Sequence, residues 1–120
     1  GRKGSAGELN KVVEPFWALD VTYYVTTDES IIDLDFLFYA LTTLNLPSMA
    51  KGVKPGINRN DVYDKSITLP PLAEQQRIVA KLDAAYNELK NANESIIKSK
   101  ANYLALKSAL LAQELQSEAA

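Results

Sequence analysis

Two different periods of apolar residues divide this chain, and they meet at a pair of prolines. In residues 17–26, Trp17, Leu19, Val21, Tyr23 and Val25 alternate with Ala18, Asp20, Thr22, Tyr24 and Thr26. A period of two, filled by aromatic and β-branched residues, predicts a strand with one buried face. "TTDES" then reads as a turn, and Asp33 is placed to cap a helix that begins at Leu34. Leu34, Leu37, Phe38, Leu41 and Leu44 form the apolar stripe of that helix, which Pro47 should end. "MAKGVKPGINRND" predicts a glycine- and lysine-bearing loop, with Asn60 capping a short helical turn through Val62 and Tyr63. "SITLPP" reads as a short strand stopped by Pro70 and Pro71. Residues 1–70 are thus expected to be a small α/β piece. Its strands are too few for a convincing independent sheet, which suggests a very small domain or part of a larger one.

Beyond the prolines the period changes, and neither Pro nor Gly occurs again. Ile78, Leu82, Ala85, Leu89, Ala92, Ile96, Ser99, Tyr103, Leu106 and Leu110 follow a strict 4-3 spacing. That spacing predicts one coiled-coil helix from about 72 to 116, roughly 66 Å long. An ordinary amphipathic helix lying on its own domain is the competing reading. A 70-residue domain is too short to cover it, so most of the stripe must meet something else. Ile97, Leu104 and Leu111 add a second apolar row in the C-terminal half. This row serves either as extra packing within the same pair or as a surface for a third element.

If the partner is a second copy, layer sizes favour an antiparallel pair crossing near Glu94. Ile78 then faces Leu110, Leu82 faces Leu106, Ala85 faces Tyr103 and Ala92 faces Ile96. Small residues meet large ones in the last two layers, as close packing prefers. Ser99 against Leu89 is the one poor layer. A parallel pair would stack alanine on alanine at 85 and 92, and tyrosine on tyrosine at 103.

Composition narrows the chemistry. The chain has no His and no Cys, which removes disulfides, thiol nucleophiles, imidazole acid–base catalysis and most zinc sites. No Asp/Glu cluster has ligand-like spacing. No apolar run approaches a membrane span, and no signal peptide is visible, so a cytoplasmic protein is the default. The net charge of −2 neither announces nor excludes a nucleic-acid partner. Residues 1–70 carry 7 basic and 9 acidic side chains. The basic ones cluster at Arg2, Lys3 and Lys11, within and after the glycine-rich start "GRKGSAGELN", and again at Lys51, Lys54 and Arg59.

The stretch "ITLPPLAEQQRIVAKLDAAYNEL" resembles the DNA-specificity (S) subunits of type I restriction–modification systems, the HsdS family. In that family an "LPPL-x-EQ-x-RIV" signature closes a target-recognition domain and opens a long helix. Leu69, Pro70, Pro71, Leu72, Glu74, Gln75, Arg77, Ile78 and Val79 carry the match. "GRKGSAGE", "DLDFLFYAL" and "KGVKPGINRNDVYDKSITL" resemble the second half of such a domain, so the likeness covers nearly the whole chain. The family often has Ser where this chain has Ala73, and a full member usually has two recognition domains and two long helices.

The resemblance implies an α+β chain. Residues 1–70 would be a partial α/β target-recognition domain lacking its N-terminal half, and residues 71–120 a long spacer and dimerisation helix. It implies a component that reads part of a bipartite double-stranded DNA target and scaffolds methyltransferase (M) subunits, through which restriction (R) subunits join. Catalysis and the S-adenosylmethionine site would belong to partners, with no cofactor in this chain and no membrane partner. A chain with one helix would then take its second from an antiparallel homodimer. DNA-contact candidates are Arg2, Lys3 and Ser5 in the first loop and Lys51, Lys54, Asn58, Arg59 and Asn60 in the second, because Arg and Asn suit guanine and adenine edges. Pro70, Pro71, Leu72, Glu74, Gln75 and Arg77 would form the joint between domain and helix, with docking of the M subunit as the other reading of the signature. Trp17, Tyr23 and Tyr24 read as core or strand faces rather than stacking platforms. Two alternatives stand beside this: a coiled-coil dimerisation module that reads no DNA, and, with little support, a small cofactor-free enzyme.

Overall fold

The computed structural model describes residues 1–119. Its elements are three helices, α1 (Leu34–Thr42), α2 (Arg59–Tyr63) and α3 (Leu72–Ala119), with a short 3-10 turn at Leu46–Met49 between the first two. The α+β expectation is overturned. Among the described residues there is no sheet, only isolated antiparallel pairings of Lys3 with Gly56 and of Lys51 with Gly56. The strand expected at residues 17–26 is absent because a turn interrupts it. The Thr22 N–H and hydroxyl both donate to Leu19 O, at 2.9 and 2.7 Å. The Val21 carbonyl is used once, by the Arg2 N–H at 2.8 Å. A strand needs a neighbour for its ladder, and none lies alongside. The same holds for "SITLPP", which has no regular structure and no pairing.

Chain contacts divide the molecule into two compact units, Gly1–Ala80 and Lys81 onward. The first unit has a small core. Ala6, Leu46 and Ile57 are buried together, with Leu9, Leu44, Met49, Ala50 and Val62 packed on them. Gly7 explains how the N-terminal loop reaches this core. Its φ is +87°, and an added Cβ would lie 2.3 Å from the Pro47 nitrogen. Only glycine allows both that conformation and that approach. Helix α1 starts where Asp33 Oδ1 accepts from the Phe36 N–H at 2.9 Å. It ends at Thr42, ahead of Pro47, as the Thr42 and Thr43 hydroxyls donate back to the Tyr39 and Ala40 carbonyls at 2.6 and 2.7 Å. Its fully buried residues are Phe36 and Leu37, so Phe36 joins the buried face beside the expected stripe.

Helix α3 runs for 48 residues, past the expected end near 116. At 1.5 Å per residue that is about 72 Å. No helix among the described residues is long and apolar enough to cross a membrane.

Candidate functional site

The two basic loops, separated by some fifty positions of sequence, share one backbone scaffold. Lys51 and Gly56 exchange N–H to carbonyl bonds at 2.9 and 3.1 Å, closing a tight turn over residues 52–55. The Ile57 N–H then donates to Arg2 O at 3.0 Å, and Lys3 bridges Gly56. Buried Ile57 anchors the turn in the core. This places Arg2 and Lys3 directly against the base of the lysine turn, an arrangement set by backbone bonds and invisible in the side-chain pattern.

Within this cluster the candidate side chains differ in what they already contact. Lys3, Ser5, Lys54, Asn58, Arg59 and Asn60 are exposed. Arg2 is half-buried, its guanidinium carbon 5.8 Å from the centre of the Tyr23 ring. Arg59 sits in the same way over Tyr63, at 5.8 Å. Lys51 lies 3.5 Å from Asp61, in a pair too exposed to hold it firmly. Asn58 is the cap of α2, its Oδ1 accepting from the Asn60 N–H at 3.0 Å. That corrects the expectation that Asn60 would cap this turn, and it commits one acceptor of Asn58 to the fold.

Tyr23 has a role other than the strand face expected of it. Besides stacking with Arg2 it donates its hydroxyl to Ile57 O at 3.4 Å, so it braces both loops. The reading of the aromatic residues as core is corrected too. Trp17 is 89% exposed, and Tyr23 and Tyr24 are also exposed. The alternation of residues 17–26 could have signalled a bracing tyrosine only if the turn at Asp20 had been recognised.

The other cluster lies at the start of α3. Gln75 is completely buried, and its side-chain hydrogen bonds all go to backbone. Its Oε1 accepts from the Asp33 N–H at 2.8 Å, and its Nε2 donates to Ile31 O at 3.0 Å and Pro70 O at 2.8 Å. The Pro71 carbonyl accepts the first helical N–H groups, from Glu74 at 2.9 Å and Gln75 at 3.0 Å. Pro70 and Leu72 are half-buried around this contact, while Pro71 is exposed. Arg77 turns outward and grips Glu74 with two bonds, at 2.9 and 2.5 Å. The hydrogen bond and charge of Glu74 hold the Arg77 pKa above its ordinary value.

Along α3, Ile78 and Leu82 are half-buried, and from Ala85 onward the stripe is open to solvent. Leu89, Ile96, Tyr103, Leu106 and Leu110 are exposed, as is the second row of Ile97, Leu104 and Leu111. Ala92 is exposed with them. No group of three or more Asp or Glu among the described residues is arranged to hold a metal ion.

The first unit thus presents a basic turn braced by backbone bonds, and α3 carries an open apolar stripe. The comparison with protein families gives the class of the protein. The family model described as the type I restriction modification DNA specificity domain matches residues 1–115. The chain belongs to that family, and its role is DNA specificity in type I restriction–modification. No curated protein and no solved structure matches it.

Proposed function

We propose that residues 1–70 read one part of a bipartite DNA target and that residues 71–120 form the spacer helix. Two copies pair antiparallel through α3, crossing near Glu94, and hold two recognition units apart. Methyltransferase subunits dock on this scaffold and methylate adenine, and restriction subunits join through them. The chain itself contributes recognition, not catalysis. Lys3, Lys51, Lys54 and Arg2 supply phosphate contacts, and Arg59, Asn58, Asn60 and Ser5 are the polar candidates for base edges. Pro70 to Arg77 act as the joint, with Gln75 tying the helix to the unit it serves.

The observation that carries this reading is the convergence of both basic loops on the Lys51–Gly56 turn. Side chains from two distant segments then present one surface to a duplex. A titration with mixed-sequence DNA at low and high salt tests it. Binding that weakens steeply with salt is expected. Absence of salt-dependent binding at micromolar protein would favour the second reading, a dimerisation module that reads no DNA.

One observation does favour that second reading. Acidic residues outnumber basic ones in residues 1–70, 9 to 7, and Arg2, Lys51 and Arg59 already have partners within the unit. Sedimentation equilibrium decides the part common to both, since each requires α3 to self-associate.

A further inference from the structure

The apex of the lysine turn is apolar. Val53 has a relative exposure of 104%, the highest of the large apolar side chains, so folding gives it no burial. Valine is also a poor choice for a turn, where Gly, Pro, Asn, Asp and Ser dominate for conformational reasons. The turn is nonetheless held firmly. Reciprocal bonds between Lys51 and Gly56 close it, Gly52 takes φ +95° at its near side, and Pro55 fixes its far side. Its base is pinned by the Ile57 N–H on Arg2 O and by buried Ile57. Lys51 and Lys54 flank the apex, and Lys3 lies against the base. An exposed aliphatic tip on a backbone-pinned, positively charged turn gives the fold no burial and is free to meet a ligand.

We infer that Val53 is a specificity-determining residue that contacts the C5-methyl group of a thymine in the major groove, while the lysines beside it hold phosphates. The inference rests on the DNA-reading proposal above. Valine has no donor or acceptor, so it cannot read the polar edge of a base. The thymine methyl is the apolar feature that the major groove displays. Wedges that open a base step use longer side chains such as Phe, Leu, Ile and Met, which Val53 is too short to imitate. The rigidity of the turn keeps the ordering cost of such a contact small.

The test begins with the full chain selecting duplexes from a randomised pool at low salt. Each thymine of the selected site is then replaced by deoxyuridine, which removes only the methyl group. At one position the wild-type chain should bind about fourfold more weakly, the worth of one buried methyl. Val53→Ala should bind the thymine site about as weakly and be indifferent to the replacement. Its salt dependence should equal that of the wild type, because no charge has changed. The inference is overturned if the selected site holds no thymine sensitive to deoxyuridine, or if Val53→Ala remains as sensitive as the wild type. Salt-dependent binding without any sequence selection overturns it while leaving the phosphate contacts standing. Absence of a salt-dependent complex removes the DNA-reading proposal and this inference together.

Discussion

Two stretches of this molecule leave apolar side chains in solvent, and they do so on different foundations. In residues 12–25, Val13, Phe16, Trp17, Leu19, Tyr24 and Val25 are exposed on a chain with few backbone bonds of its own. In α3, Leu89, Ile96, Tyr103, Leu106 and Leu110 are just as open, but the helix beneath them satisfies its own backbone. A helix closes its hydrogen bonds within one segment, whereas extended chain depends on a neighbour. The α3 stripe is therefore a finished surface before any partner arrives. The shape of residues 1–80 instead comes from backbone contacts at a few points, such as Gly7 on Pro47 and Ile57 on Arg2.

If close backbone contact governs the first unit, the smallest addition should do the greatest damage. Gly7→Ala puts a Cβ at φ +87° and into the Pro47 backbone. The expected loss is about 4 kcal/mol from strain and overpacking combined, read from urea unfolding. A loss below about 1 kcal/mol would break the contrast.

Gln75→Leu comes next. It keeps the shape of the side chain but strands the Asp33 N–H and the Ile31 and Pro70 carbonyls. Leaving buried polar groups unpaired should cost about 3 kcal/mol, measured by the same unfolding. A neutral result would mean that water replaces Gln75 and that the joint is looser than its geometry suggests.

Leu106→Ala addresses the other side of the comparison. It should leave the amide spectrum of residues 1–80 unchanged and weaken self-association on the order of 1,000-fold, as loss of about 2 kcal/mol at each of the two equivalent Leu82–Leu106 layers implies. Sedimentation equilibrium reads this directly, and a wild-type chain that stays monomeric at high concentration would sink the helix pair.

The smallest effect concerns Asp28. The Ser30 hydroxyl and N–H both donate to its carboxylate and hold its pKa below the ordinary 3.8. The stabilisation is present above the unfolded pKa and is lost as pH falls through the folded one. Ser30→Ala removes the larger cause, so the Asp28 titration should move upward in carboxyl NMR, and an unmoved titration would deny the contact any role.

The legible parts of the sequence were those whose structure is local. The 4-3 spacing from Ile78 to Leu110 marked α3, because a helix needs no outside partner to form. Asp33 marked the start of α1, because a cap acts within one turn. The alternation from Trp17 to Val25 misled, because period two reports a face and says nothing of a neighbouring strand. The run "NRN" offers two asparagines suited to a cap, and the one that caps α2 is Asn58, two positions before Asn60. The meeting of the two basic loops left no trace in the pattern, since Arg2 and Ile57 join through backbone atoms that every residue carries. Gly7 looked like any loop glycine until its approach to Pro47 was known.

The Gln75 contact has a consequence for how the molecule opens. Asp33 caps α1 with its side chain, and its own N–H is held by a side chain from the first turn of α3. The cap of α1 therefore rests on the first turn of α3, and that turn cannot fray without loosening the cap. In amide hydrogen exchange, Asp33 and Phe36 should exchange together with the opening turn of α3 as a single cooperative event. A sequence separation of 42 residues between Asp33 and Gln75 is thereby reduced to one opening motion.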